Sequence, residues 1–249
     1  MFYFLLAPIL AYNWFLICAA VVPAIFLMVK VYRSDRLEPE NPVFLRRLVL
    51  GGVIATLLAI LGERIGSAIL ALFVPADSEL YNVILYFVVV GLVEESAKFI
   101  ILKRRTWNST EFNCQYDAVV YAVFVSLGFA LWENISYVTH YGFSTALVRA
   151  VTAIPGHTCF GVFMGTFYGL ARGYAYLGDE GKSKFFRVLA VIVPTLIHGA
   201  YDYIASQQDT SGTLLFFAFI AILFTASFVM VSNLAKNDKY YRTDRQNFN

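Results

Sequence analysis

Charge is scarce in this 249-residue chain. Asp, Glu, Lys and Arg make up 14% of it, where a soluble domain carries about a quarter. That excludes a water-facing surface over most of the molecule. Lys and Arg are missing altogether from the stretches 75–79, 139–144 and 207–212. Cysteine is rare too. Cys18, Cys114 and Cys159 are odd in number and have no metal-type spacing, which excludes a disulfide framework and a zinc knuckle. They are read as small apolar fillers. Cys159 follows His157 by two residues, so the two point to different sides of a helix and make no Cys–His pair. The common hydrolytic signatures are absent: no H-E-x-x-H, no G-x-S-x-G and no Walker loop. No internal repeat supports an inverted-repeat transporter, no low-complexity segment occurs, and nothing points to nucleic acid.

What is abundant is apolar. Hydrophobic residues make up 59% of the chain, and the mean hydropathy is +0.65. A bilayer-spanning helix needs about 20 apolar residues. Seven windows qualify, roughly 9–29, 44–62, 80–102, 116–138, 155–172, 186–206 and 213–234. The expected fold is an all-α, polytopic transmembrane bundle of about seven spans. No basic residue precedes the first window, so it reads as a retained helix rather than a signal peptide. Most Lys and Arg fall in the other set of loops, such as Lys30, Arg33 and Arg36, or Lys103, Arg104 and Arg105. Basic loops mark the cytoplasmic side, giving N-out/C-in. One transmembrane domain, 1–235, is expected, with its core at about 80–206 and a loose polar tail at 236–249.

Several finer expectations follow. Residues 1–10 are aromatic and suit the outer interface. Glu38 and Glu40 lie in a turn-rich loop and read as solvated. The second window either ends near Gly62 or continues as one tilted helix to 74. Glu63 and Arg64 there read as an interface pair, or more sharply as the lining of a cavity mouth. Pro155-Gly156 starts the fifth span, with 144–154 as a separate outer or re-entrant segment. Gly161, Gly165 and Gly169 form a small-residue stripe suited to close helix packing.

The chain is organised around polar groups inside these apolar windows. Each ionisable group at mid-bilayer costs about 2.5–3.5 kcal/mol on insertion scales, so such groups face a protein interior and carry function. Glu94 and Lys98 are i,i+4 and can pair; Glu95 points about 100° away. Phe129 and Glu133 share a face, with Asn134 beside them. His198 and Asp202 are again i,i+4, and His157 stands on a fourth helix. A carboxylate beside a histidine fixes its tautomer. An acid pair can split its work, one member held by lysine and the other activating water, while histidines polarise a carbonyl or bind a metal. His140 lies outside this set and reads as solvated. Helix midpoints leave a difficulty of depth: Glu95 falls a few ångströms to the cytoplasmic side of centre and Glu133 roughly 9 Å to the outer side. A proton-coupled transporter or channel, with the same groups as a relay, is the competing class.

Glu94-Glu95-x-x-Lys98, Phe129-x-x-x-Glu133, His157-x-x-x-Gly161 and His198-x-x-x-Asp202, in that order on successive helices, resemble the four motifs of the PrsW family of intramembrane proteases. That family is related to CAAX-processing (Rce1-like) and bacteriocin-processing membrane proteases. The resemblance runs from about Val93 to Tyr203. It implies an endopeptidase of the bacterial cytoplasmic membrane that cuts a membrane-anchored protein, such as an anti-sigma factor, at a first site on the extracytoplasmic side. It makes Glu94, Glu95, His157, His198, Glu133 and Asp202 the catalytic set and Lys98, Phe129 and Asn134 supporting residues. Both a metal-free, glutamic-type mechanism and a zinc (or other divalent metal) site on Glu95, His157 and His198 are compatible with it. The metal-free version is favoured, because H-E-x-x-H is missing and Lys98 lies beside the acid pair. Its partners would be the membrane-anchored substrate and the lipid bilayer.

Overall fold

The computed structural model describes residues 2–207 and 209–241, with side chains from Trp14 onward. The aromatic side chains placed at the outer interface (residues 1–10), and the tail beyond Tyr241, lie outside the described residues. The described chain is helical throughout: α1 (Phe2–Ser34), α2 (Pro42–Phe73), α3 (Glu79–Ile84), a π-helical stretch (Leu85–Leu92), α4 (Val93–Thr106), α5 (Gln115–Tyr141), α6 (Phe143–Val151), α7 (Ala153–Tyr176), α8 (Glu180–Ala205) and α9 (Thr210–Lys236). Six stretches are by themselves long and apolar enough to cross a membrane. The residues joining α3, the π stretch and α4 keep right-handed helical dihedrals. Residues 79–106 therefore run as one rod and supply the seventh span.

Burial ranks the helices. The most apolar window of α5 is 78% buried, that of α9 only 17%. So α5 is the axis of the bundle and α9 a peripheral helix whose Leu214, Phe217 and Ile222 face outward. In lipid, such exposed apolar side chains carry no penalty. The small-residue stripe does what the sequence suggested. A Cβ on Gly165 would lie 2.5 Å from the Val119 Cα of α5, so only glycine lets α7 come this close. Gly52 of α2 and Gly128 of α5 abut each other's helix backbones in the same way.

The structure decides two open readings and corrects two expectations. The second window is one helix to Phe73, because nothing in Gly62-Glu63-Arg64 breaks it. Glu63 lines an internal cavity rather than pairing with Arg64 at an interface. Glu40 is not solvated: it is 3% exposed, and Glu38 accepts hydrogen bonds from Asn113 Nδ2 (2.6 Å) and the Tyr240 hydroxyl (3.3 Å). The start of the tail is not loose, since the Tyr241 amide donates to Asn113 O (2.8 Å) and its hydroxyl to Gly169 O (2.7 Å). The fifth span begins near the expected break. α6 precedes it as a separate helix, and the kink falls at Thr152, with Pro155 inside the first turn of α7.

Candidate active site

The π-helical stretch delivers the acid pair. Wider turns of this kind recur at functional sites, and this one ends two residues before Glu94. α8 packs closely on it: a Cβ on Gly199 would meet the Phe87 ring at 2.6 Å. That approach sets His198 beside Glu95.

Lys98 is the hub. It is wholly buried, and its ammonium lies 2.7 Å from Glu95 Oε1, 3.1 Å from Glu94 Oε2 and 3.2 Å from His157 Nδ1. It also sits 4.1 Å over the Phe129 ring, a favourable cation–π placement. Glu95 is therefore not free of the lysine, as its 100° offset suggested, because the flexible lysine stem reaches both acids. Glu95 Oε1 also meets His198 Nδ1 at 2.9 Å, and Glu95 Oε2 is buried without a partner among the described residues. Glu94 differs, since it lines the cavity.

Tautomers follow from the bonds. An ammonium only donates, so His157 Nδ1 accepts and Nε2 carries the proton, which it gives to Glu133 Oε2 at 2.9 Å. His198 Nδ1 donates to Glu95, and Nε2 faces Asp202 Oδ2 at 3.4 Å. Phe160 stacks on His198 with centroids 4.5 Å apart, and Ser126 holds the His157 carbonyl at 2.6 Å.

This resolves the difficulty of depth. Helical side chains lean toward their own N-terminus. The rod 79–106 and α5 run in opposite directions, so Lys98 leans outward and Glu133 leans inward. The His157 imidazole bridges what remains. All six predicted catalytic residues, with Lys98 and Phe129, form one connected cluster. Asn134 stands behind it: Nδ2 donates to Ala20 O, and Oδ1 accepts from Arg149 Nε, both at 2.9 Å.

Arg149 is the residue the motifs missed. Its guanidinium pairs with Glu133 at 3.1 Å and lies 4.1 Å over the Tyr137 ring. The one available signal was its position, a lone arginine in an outer segment otherwise free of basic residues. Glu63 was the second omission from the predicted catalytic set. Together these groups wall a cavity of about 230 Å³, with Glu94, Glu133, His157, His198 and Asp202 on its surface and Tyr86, Tyr137 and Arg149 toward the outer side.

A metal has one candidate position here. Ligand atoms of Glu94, Glu95 and His157 lie within 4.8 Å of one another. His198 is not in this group, which corrects the expected set of Glu95, His157 and His198: the two imidazoles, with ring centroids 5.4 Å apart, do not bring their ligand nitrogens and a Glu95 oxygen within that distance of one another. The three grouped residues are the same three that surround the Lys98 ammonium.

Comparison with known proteins places this geometry. A family model described as "PrsW family intramembrane metalloprotease" matches residues 39–231. A protein named Protease PrsW from Clostridioides difficile (strain 630) is 30% identical over 235 residues, covering 92% of each chain. Its namesake from Bacillus subtilis (strain 168) is 34% identical over 196 residues, 76% of this chain and 82% of the relative. A third, from Geobacillus kaustophilus (strain HTA426), is 30% identical over 79% of this chain and 82% of its own. No solved structure matches.

Proposed function

Because this chain belongs to the PrsW family of intramembrane proteases, and is thus a multi-pass peptidase of the bacterial membrane, we propose that it cleaves a membrane-anchored protein with a water activated by Glu94. One observation carries this. Of the two acids on Lys98, only Glu94 borders the cavity, while Glu95 is sealed between Lys98 and His198.

Glu94 takes a proton from a cavity water, and the hydroxide adds to the scissile carbonyl. The tetrahedral oxyanion needs donors. The His157 Nε2–H, which Lys98 fixes on that nitrogen and which Glu133 shares in the free site, is the donor on the cavity wall; His198, whose proton goes to Glu95, lines the same wall without donating. Glu94 then returns its proton to the leaving amine, so the carboxylate is regenerated. Glu95 and Lys98 remain an ion pair throughout, and Asp202 and Glu133 orient the two histidines.

The family description names a metal, and the donors here do not fit one. Zinc would sit about 2.0–2.2 Å from oxygen and nitrogen ligands, at the point the Lys98 ammonium holds. A dication and an ammonium repel each other at that range. The cavity lies toward the face away from the basic loops, which favours a cut on the extracytoplasmic side. The proposed substrate is a single-pass membrane-anchored protein, of which an anti-sigma factor is the example that the family resemblance implies.

The test uses purified protein in proteoliposomes with a single-span reporter. Glu94→Gln lowers cleavage about 100-fold or more while the protein still accumulates, and chelation leaves wild-type cleavage intact. Stoichiometric zinc that disappears in His157→Ala would overturn the metal-free reading. Unchanged cleavage by Glu94→Gln would overturn the role of Glu94.

A further inference from the structure

A second cluster of carboxylates lies at the opposite end of the bundle, among the basic loops. Ligand oxygens of Asp35, Glu40 and Asp117 fall within 4.8 Å of one another, and Asp117 is shared with a second such group containing Asp238 and Cys114. These residues come from four parts of the chain: the exit of α1, the loop before α2, the first turn of α5 and the segment after α9.

Each acid except Glu40 is anchored by backbone. Asp35 Oδ1 accepts from the Leu37 amide (3.2 Å), Asp238 Oδ1 from the Tyr116 amide (3.0 Å), and Asp117 Oδ2 from the Asn113 (2.9 Å) and Cys114 (2.6 Å) amides. The opposite oxygens are left over. Asp35 Oδ2, Asp238 Oδ2 and Glu40 Oε1 are buried with no hydrogen-bond partner among the described residues. Glu40 is the telling one, at 3% exposure. Among the described residues no Lys or Arg pairs with any of these acids, although the end of the molecule is rich in both. Buried carboxylates gathered without a counter-charge are unstable by several kcal/mol each.

We propose that this cluster is a binding site for one hard divalent cation of the magnesium or calcium class, held by oxygens of Asp35, Glu40 and Asp117, with water completing the shell. Three features choose the class. The convergent donors are carboxylate oxygens, which suit hard cations. Cys114 is not a competitor, because its thiol donates to Asn113 Oδ1 at 3.0 Å. The backbone anchors already point one oxygen of each aspartate away from the amides that fix the other. The cation would tie the ends of α1 and α5 to the α1–α2 loop, closing the cytoplasmic end of the bundle.

The rival occupant is a proton. Burial and the neighbouring Asp117 charge push the Glu40 carboxyl up to about 9, so a cation-free cluster would keep Glu40 neutral. Binding of manganese(II) alone to the full-length protein in detergent, followed by electron paramagnetic resonance, separates the two. One manganese per chain is expected at neutral pH, displaced by magnesium or calcium and not by sodium. Glu40→Gln, which keeps shape and removes charge, weakens it about tenfold or more, as does Asp35→Asn. Glu94→Gln leaves it unchanged, which separates this site from the cavity. Thermal unfolding of the wild type rises with the same cations, so the proposal is testable even where a variant fails to accumulate. No manganese uptake by the wild type, or uptake lost in Glu94→Gln and kept in Glu40→Gln, would overturn it.

Discussion

The two ends of this bundle bury similar numbers of carboxylates and treat them in opposite ways. Around the cavity, the four acids of the catalytic cluster each have a positive or imidazole partner within the chain: Lys98 for Glu94 and Glu95, Arg149 and His157 for Glu133, His198 for Asp202. At the basic end, Asp35, Glu40, Asp117 and Asp238 have backbone amides or nothing. A catalytic acid must be charged yet reachable by water, so its counter-charge is built in and one face is left open. A site meant to capture something from solution leaves its counter-charge out.

The comparison breaks most visibly at Lys98. Lys98→Met leaves Glu94 and Glu95 buried together without their cation. Cleavage is lost, and thermal or denaturant unfolding shows a loss of about 3–5 kcal/mol. A variant of wild-type stability would mean that the two acids do not depend on the lysine. Next in size is the split within the pair. Glu94→Gln and Glu95→Gln both lose cleavage of about 100-fold or more. Glu95→Gln loses more stability, because Glu95 is the closer partner of both Lys98 (2.7 Å against 3.1 Å for Glu94) and His198 (2.9 Å against 3.8 Å). Equal stability losses would contradict the division of labour. Arg149→Gln is milder. Glu133 keeps His157 and some contact with cavity water, so kcat/KM falls about tenfold, the lower end for loss of a residue that orients another, and Arg149→Lys restores part of it. The smallest effect is at the other end. Asp117→Ala removes the carboxylate that receives two amides at the start of α5, costing about 1–2 kcal/mol of stability as other helix caps do.

Legibility followed the range of each interaction. Glu94 with Lys98 and His198 with Asp202 were readable because one helical turn fixes both partners. The Gly161-Gly165-Gly169 stripe was readable because the same period exposes one edge to a neighbour. Arg149 was not, since its partners Glu133 and Asn134 lie across a turn on another helix. Glu40 was misread for a related reason: a polar loop looks solvated until α5, with Asp117 and Tyr121, packs against it. The π-helical stretch left no local mark either. Its residues, Leu85 to Leu92, are as apolar as any span, and the wider turns are stabilised by the fit of α8 against them.

Hydropathy was enough to determine a seven-span membrane bundle and which polar residues had to be sheltered inside it, and the placement of Lys and Arg assigns its orientation. Those properties depend on transfer of each segment into lipid, a sum over local composition. Which acid meets the cavity, which histidine nitrogen keeps its proton, and that Lys98 stands where a metal would bind were decided only by packing. They depend on distances of about 3 Å between residues up to 103 positions apart, and such distances exist only after the helices have closed on one another.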